Sequence, residues 1–191
     1  GINFLATTYD SRGKTTFYKG TMVKHKRGQF KSTRKQLQMR QTPSARKKLK
    51  QIGSRENRYV TDVNHQITKA LVDQYPKGTM FVLEDLTGVR AATEKVRVKD
   101  RYVSVSWAFH QFRQMLEYKA EMKGQKVITV NPKYTSQTCP KCGHIEKANR
   151  NKKLHTFTCK NCHYQSNDDR IGAMNLHRKG IEQIGVVALE V

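Results

Sequence analysis

Four cysteines carry the strongest chemical signal in this sequence of 191 residues. Cys139-x-x-Cys142 and Cys159-x-x-Cys162 are separated by sixteen residues, a spacing within the zinc-ribbon range. Each pair can fold into a tight turn that points its two thiolates at one ion. Four thiolates saturate tetrahedral zinc and leave no coordination position for water, so the predicted site is structural and holds one zinc. His144, His155 and His163 lie close by, but none is needed to complete the set; surface or supporting positions are the simpler reading for them. Iron–sulfur clusters use other cysteine spacings. With every cysteine inside this motif, the pattern points to a metal site in a reducing compartment rather than to a disulfide framework.

A second chemistry needs a different donor set. Metal-assisted cleavage of a phosphodiester uses carboxylates from separate elements, converging on cations roughly 3.5–4 Å apart. Magnesium suits that role, because it keeps waters and binds substrate phosphates through few protein carboxylates. Glu84 closes a short apolar run, where an α/β sheet opens its crevice. Asp169, within Asn167-Asp168-Asp169-Arg170, falls in the first turn of a predicted helix. Plainer readings exist for both: a solvated strand exit for Glu84 and Asp85, and helix capping for Asp168 and Asp169. Set beside the ribbon and the overall charge, Glu84 and Asp169 become the candidate catalytic pair, with Asp168 read as the cap.

The elements that must position these groups follow from the apolar pattern. Residues 2–20 read as a β-hairpin turning at Asp10-Ser11-Arg12-Gly13. Val60, Val63, Ile67 and Leu71 recur at helical spacing, and Pro76-Lys77-Gly78 stops that helix. TMFVLE at 79–84 and KVITV at 126–130 read as strands buried on both faces. Between them a helix over 104–123 would turn Trp107, Phe112, Met115, Leu116 and Met122 inward. The final helix is capped by Asn167 or Asp168 and closes at Arg178-Lys179-Gly180. This alternation predicts an α/β domain with a mixed sheet, helices on its faces and the cysteine motif inserted before the last helix.

Charge defines the partner. Lys and Arg number 37 against 15 Asp and Glu, a formal +22, which calls for a polyanion, foremost nucleic acid. Residues 24–58 carry thirteen Lys and Arg against Glu56 alone. They are expected to form a surface loop, helical only around 45–52. Lys24, Lys26, Arg27, Lys31, Arg34 and Lys35 would contact phosphates there, with a solvated basic loop as the alternative. Arg90 and the charges at 95–101 are further candidates for backbone contact. Tyr134, Tyr164 and His163 could stack on a single strand or pack locally, and Trp107 is read as core. No apolar run approaches the ~20 residues needed to span a bilayer, so a helical membrane span is excluded and an intracellular setting is expected.

FVLEDLTGVR, SWAFHQF, LEYKAEMKGQKVITVNPKYTSQTCPKCG and SNDDRIGAMNL, in this order, resemble the C-terminal half of the transposon-associated OrfB/TnpB proteins, relatives of the type V CRISPR effectors. The resemblance implies an RNase H-like (RuvC) nuclease domain over residues 1–130 and 168–191, interrupted by a zinc-ribbon insertion at 131–167. It also implies RNA-guided cleavage of DNA that depends on magnesium or manganese, with DNA and a guide RNA as partners, in the prokaryotic cytoplasm at the nucleoid. In that family the second catalytic acid is the Glu of the Leu-Glu-Asp motif, here Glu84. The third stands before the small-residue pair leading into Asn-Leu, here Asp169 ahead of Gly172-Ala173, with Ile171 where the family often has Asn.

One departure bears on activity. The family's first acid is an Asp in an Asp-x-Gly-Ile pattern, and the match places it two residues before Gly1. Asp10 does not replace it, since a strand over residues 2–9 carries it about 26 Å along the sheet at ~3.3 Å per residue. The family's N-terminal half, which recognises the guide RNA and the motif flanking the DNA target, also falls outside this sequence. These residues alone are therefore expected to hold nucleic acid and to cut it weakly or not at all.

Overall fold

The computed structural model describes residues 4–86 and 109–189. Within them run β1 (Phe4–Tyr9), β2 (Thr15–Lys19), α1 (Thr21–Arg40), α2 (Pro43–Gln74), β3 (Met80–Glu84), α3 (Phe109–Met122) and β4 (Lys126–Val130). A short 3-10 turn (Lys147–Asn149), β5 (Arg150–Asn151), β6 (Thr156–Thr158), β7 (Gln165–Asn167) and α4 (Asp168–Leu189) complete the order. The α/β composition agrees with the sequence. Among the described residues the strands pair as β1–β2, β3–β4 and β5–β6–β7.

The described residues divide into two compact units, one formed mainly by residues 18–79 and 109–126. Its described part is helical, and here the sequence expectation needs correcting. Residues 24–58 are not a loop with a short helical piece; they make up most of a hairpin of two long helices. Gln41, in the left-handed conformation at φ 53, breaks the chain between them. Thr42 then caps α2 by accepting from the Ala45 amide at 3.2 Å, and Pro43 supplies a first residue whose missing N–H costs nothing.

Why these basic residues are helical is visible in one seam. Val23, Phe30 and Leu37 recur every seventh position along α1, and Arg27 and Arg34 fill the intervening positions of the same stripe. Val23 and Leu37 are buried. The two arginines turn onto Glu56 of α2, which is only 5% exposed. Arg27 Nε lies 3.3 Å from Oε1, and an Arg34 Nη donates to Oε2 at 2.6 Å. The seam is therefore completed by charge rather than by leucine, and an apolar pattern cannot register it.

α3 packs on α2; Met115, Leu116 and Ala120 are buried on the one helix and Val60, Ile67 and Leu71 on the other. Polar links fix their register: Asn64 Nδ2 donates to Gln111 Oε1 at 2.9 Å, and Lys119 Nζ donates to the His65 carbonyl and to Thr68 Oγ1, each at 2.8 Å. Residues 104–108, including Trp107, lie outside the described residues. Met122 does not join the apolar stripe. As the last residue of α3 it is 81% exposed.

The second unit comprises residues 6–17, 80–86 and 127–189. β3 is half-buried throughout rather than fully buried, and helix α4 covers it. Gly180, expected to end α4, is where the helix passes over the strand: a Cβ there would stand 2.4 Å from Val82 Cγ2. Only glycine permits that approach, and the helix runs on to Leu189. The strands of the cysteine segment are antiparallel, with Arg150 opposite Phe157 and Phe157 opposite Ser166.

The arginine–glutamate seam has a measurable consequence. Glu56→Ala leaves Arg27 and Arg34 without their buried counter-ion and should destabilise the helical unit by about 3 kcal/mol in denaturant unfolding. Replacing all three together by Arg27→Met, Glu56→Leu and Arg34→Met should restore or exceed the original stability, because a well-packed apolar seam carries no desolvation cost.

Candidate metal centre and carboxylate site

The two cysteine turns are built alike. The Cys139 amide donates to the His144 carbonyl and the Gly143 amide to the Cys139 carbonyl, both at 2.9 Å. Cys159 donates to Tyr164 at 2.9 Å and His163 to Cys159 at 3.0 Å. Both turns place the residue after the second cysteine in the left-handed region, Gly143 at φ 75 and His163 at φ 57. Asn149, buried between them, donates to the Gln137 carbonyl at 3.0 Å and accepts the Lys160 amide at 2.9 Å.

This pairing brings the four sulfurs together. Cys139 and Cys162 Sγ stand 3.6 Å apart, as do Cys142 and Cys159, and all four lie within 4.8 Å of one another. A tetrahedron of sulfurs ~2.3 Å from zinc has edges of roughly 3.8 Å, whereas a disulfide needs about 2.05 Å. The donor set therefore fits one tetrahedral zinc. Four clustered thiols resist ionising together. The His144 amide, aided by the neighbouring thiols, brings Cys142 down to about 6. Against the pull of the Tyr164 amide, desolvation and the same neighbours push Cys162 up to about 12. A dication is the natural counter-charge for the full set.

Behind the sulfurs, Cys139, Cys159, Phe157 and Ile171 form a core at 0% exposure, with Tyr164 and Met174 packed against it. Tyr164 is thus a packing residue, and Tyr134 is exposed with Lys133 Nζ 5.1 Å from its ring centroid. Asn175 is buried in α4 and donates to the Thr135 and Thr138 carbonyls at 2.7 and 2.8 Å. Helix α4 is consequently bound to the start of the cysteine segment as well as to its end.

That attachment delivers the acids. Asn167, not Asp168, is the cap of α4: its Oδ1 accepts the amides of Asp169 at 3.0 Å and Arg170 at 3.2 Å. Asp168 turns inward, its side chain wholly buried, to accept from Arg150 Nε at 2.7 Å, with His155 Nδ1 at 3.4 Å from its other oxygen. Asp169 is half-buried, as is Glu84 at the end of β3, and a carboxylate oxygen of Asp169 lies within 4.8 Å of ligand atoms of Asp168 and His155. Burial raises both above the ordinary carboxylate range, and each also feels negative charge, Glu84 from Asp169 and Asp169 from Asp168. Arg150 opposes the rise at both. The charge of Asp169 is thus felt at Glu84, and among the described residues the carboxylates that could hold a metal ion together are Asp168 and Asp169, with His155, their ligand atoms within 4.8 Å of one another.

Other predicted positions divide. Lys24, Lys26, Lys31 and Lys35 are exposed on α1, whereas Arg27 and Arg34 are turned onto Glu56. Arg90 lies outside the described residues. Asp10 is occupied in its turn, accepting the amides of Arg12 at 3.0 Å and Lys14 at 2.9 Å. Arg150 and the partnership of His155 with Asp168 carry no signal in the sequence; Arg150 sits in a basic run with Lys152 and Lys153 that gives it no distinguishing mark.

Two family models match the chain: a probable transposase model, OrfB_IS605, over residues 1–92, and a Cas12f1-like, TNB domain model over residues 109–176. The chain is 33% identical over 141 residues to the CRISPR-associated endodeoxyribonuclease Cas12f1 of Sulfoacidibacillus thermotolerans, covering 72% of this chain and 31% of that protein. It is 34% identical over 132 residues to a TnpB-like protein of Methanocaldococcus jannaschii, covering 69% of this chain and 46% of the relative. It therefore spans less than half the length of either. Among solved structures, a Cas12f1–sgRNA–target DNA complex matches with TM-score 0.65 at 19% identity, over 85% of this chain and 43% of that one. A CRISPR–Cas12f ternary complex matches with TM-score 0.69 at 18% identity, over 92% and 37%. At such identities the structural likeness concerns the fold.

Two outcomes follow from this geometry. Metal analysis should return about one zinc per chain, and chelation should unfold residues 139–162 together with the start of α4, seen as lost amide protection. The raised carboxylates fix a sign as well. Their stabilising contribution is present below the unfolded value, near pH 4, and is lost as pH rises through the raised folded value. Glu84→Gln should therefore raise the melting temperature of the protein without divalent cation at neutral pH, and the gain should vanish in acid.

Proposed function

The chain belongs to the transposon-associated OrfB/TnpB family, and we propose that it is the RuvC nuclease portion of an RNA-guided DNA endonuclease of that kind. In this reading residues 1–130 and 168–191 form an RNase H-like nuclease domain and residues 131–167 a zinc-ribbon insertion. The fold similarity to Cas12f complexes supports the assignment. The observation that carries the catalytic part is that Glu84, at the end of β3, and Asp169, in the first turn of α4, are both half-buried and that the charge of Asp169 is felt at Glu84.

Glu84 and Asp169 would hold magnesium or manganese. Bound there, the cations supply the charge that activates water and stabilises the leaving oxygen of the phosphodiester. The chain's own groups prepare that place. Burial makes both carboxylates costly to ionise unaccompanied, so they favour a dication. Arg150 offsets part of the negative charge of the pair. The exposed lysines of α1 meet phosphate backbone, while pairing with the guide RNA supplies sequence specificity. The setting is the prokaryotic cytoplasm at the nucleoid; none of the described helices is long and apolar enough to cross a membrane.

Cleavage of target DNA by the guide-loaded protein of which this chain is the nuclease portion tests the reading. Glu84→Gln and Asp169→Asn should each slow cutting by more than about 100-fold while leaving DNA binding intact. Equal rates for wild type and both variants would contradict the assignment. Replacing Lys24, Lys26, Lys31 and Lys35 by Gln should flatten the dependence of log K on log salt by about 0.9 for each duplex phosphate that is no longer neutralised. An unchanged slope would remove α1 from the interface.

A further inference from the structure

We infer that Asp168 is a positioning residue for the carboxylate pair, locking ribbon strand β5 to the first turn of α4 so that closure of the ribbon sets the place of Asp169. This rests on the reading of Glu84 and Asp169 as the catalytic acids. Asp168 lies beside Asp169 in sequence, its side chain has no exposed surface, and ligand atoms of His155, Asp168 and Asp169 lie within 4.8 Å of one another. One oxygen accepts from Arg150 Nε at 2.7 Å; the other faces His155 Nδ1 at 3.4 Å. The backbone repeats the attachment, since the Asp168 amide donates to the His155 carbonyl at 3.3 Å and Asn167 Nδ2 donates to the same carbonyl at 3.2 Å. Strand β7 and the ribbon thus end on one knot, and α4 begins from it.

The knot is tied to the sulfurs by register. Arg150 pairs across β5–β6 with Phe157, which lies two residues before Cys159. Phe157 and Cys159 pack with Ile171, one turn into α4, at 0% exposure. Arg150 is therefore fixed from the ribbon side and Asp168 from the helix side, and their ion pair joins the two. A buried ion pair seldom adds stability over an apolar pair of the same volume. Its use here is geometric: the Arg150 bond to the Asp168 side chain and the Asp168 amide bond to the His155 carbonyl fix the rotation of the first helical turn, hence the direction of Asp169, and hold the guanidinium that offsets charge at both acids.

The test titrates magnesium and manganese in the cleavage assay of the guide-loaded protein, comparing wild type, Asp168→Asn, Asp168→Glu and Asp169→Asn, with zinc content and DNA binding measured on each. Asp168→Asn should keep its zinc and its DNA binding, raise the half-saturating divalent concentration about tenfold, and recover much of its maximal rate at high cation. A purely structural role for Asp168 would lower stability without moving that concentration below the melting transition. An inactive Asp169→Asn beside an Asp168→Asn with the wild-type cation requirement overturns the inference alone. An Asp169→Asn that cuts like wild type overturns the reading of the acids, and the inference with it. Should Asp168→Asn fail to fold, Asp168→Glu decides: a raised cation requirement supports the positioning role, and an unchanged one refutes it.

Discussion

Four sulfurs that cannot ionise together without a dication are the constraint on which the second unit depends. Two short turns, alike in hydrogen bonding and in their left-handed residue, bring Cys139, Cys142, Cys159 and Cys162 to the edge lengths of a tetrahedron. Once closed, the sulfurs stack on Phe157 and Ile171. Ile171 belongs to α4, so the metal turn and the helix share one core. A segment with three strands of two or three residues has too little apolar surface to hold itself, and a metal held by the four thiolates would supply the missing folding free energy. The ribbon has no open coordination position. In the proposed reading its contribution to chemistry is mechanical.

The helical unit solves a different problem, how to fold a segment overloaded with one charge. Glu56 sits where a seam would normally place an apolar side chain and draws Arg27 and Arg34 inward. The cations on α1 are thereby sorted. Two complete the seam, and the lysines at 24, 26, 31 and 35 remain exposed. A helix presents such charges at fixed intervals, which a loop does not, so the proposed phosphate contact would carry less ordering cost than one made by a flexible basic segment.

Much of the site was legible in the sequence because its signals are local. Cysteine spacing specifies a tetrahedral set without reference to the rest of the chain. The apolar runs at β3 and β4 end where their strands end, which places Glu84 at a strand exit. The helices of residues 24–58 were not legible, because their seam is completed by an ion triad whose members are 22 and 29 residues apart. The role of Asp168 was obscured for a related reason. An Asp next to a helix start looks like a cap, and only the return of β5 and the turn at His155 shows that Asn167 caps while Asp168 is buried. Gly180 carried the signature of a helix end, yet it answers a close approach to Val82.

In the proposed mechanism the ribbon returns the chain to the sheet with Asp169 placed beside Glu84, forming a cation site distinct from the four-sulfur site. Anomalous diffraction from crystals grown with manganese, recorded at the zinc and manganese edges, tests this directly. The expected result is a zinc peak among the four cysteine sulfurs and manganese coordinated by Glu84 and Asp169, the latter peak absent in Asp169→Asn. Manganese bound elsewhere with those two carboxylates bare, or no zinc among the cysteines, would contradict it.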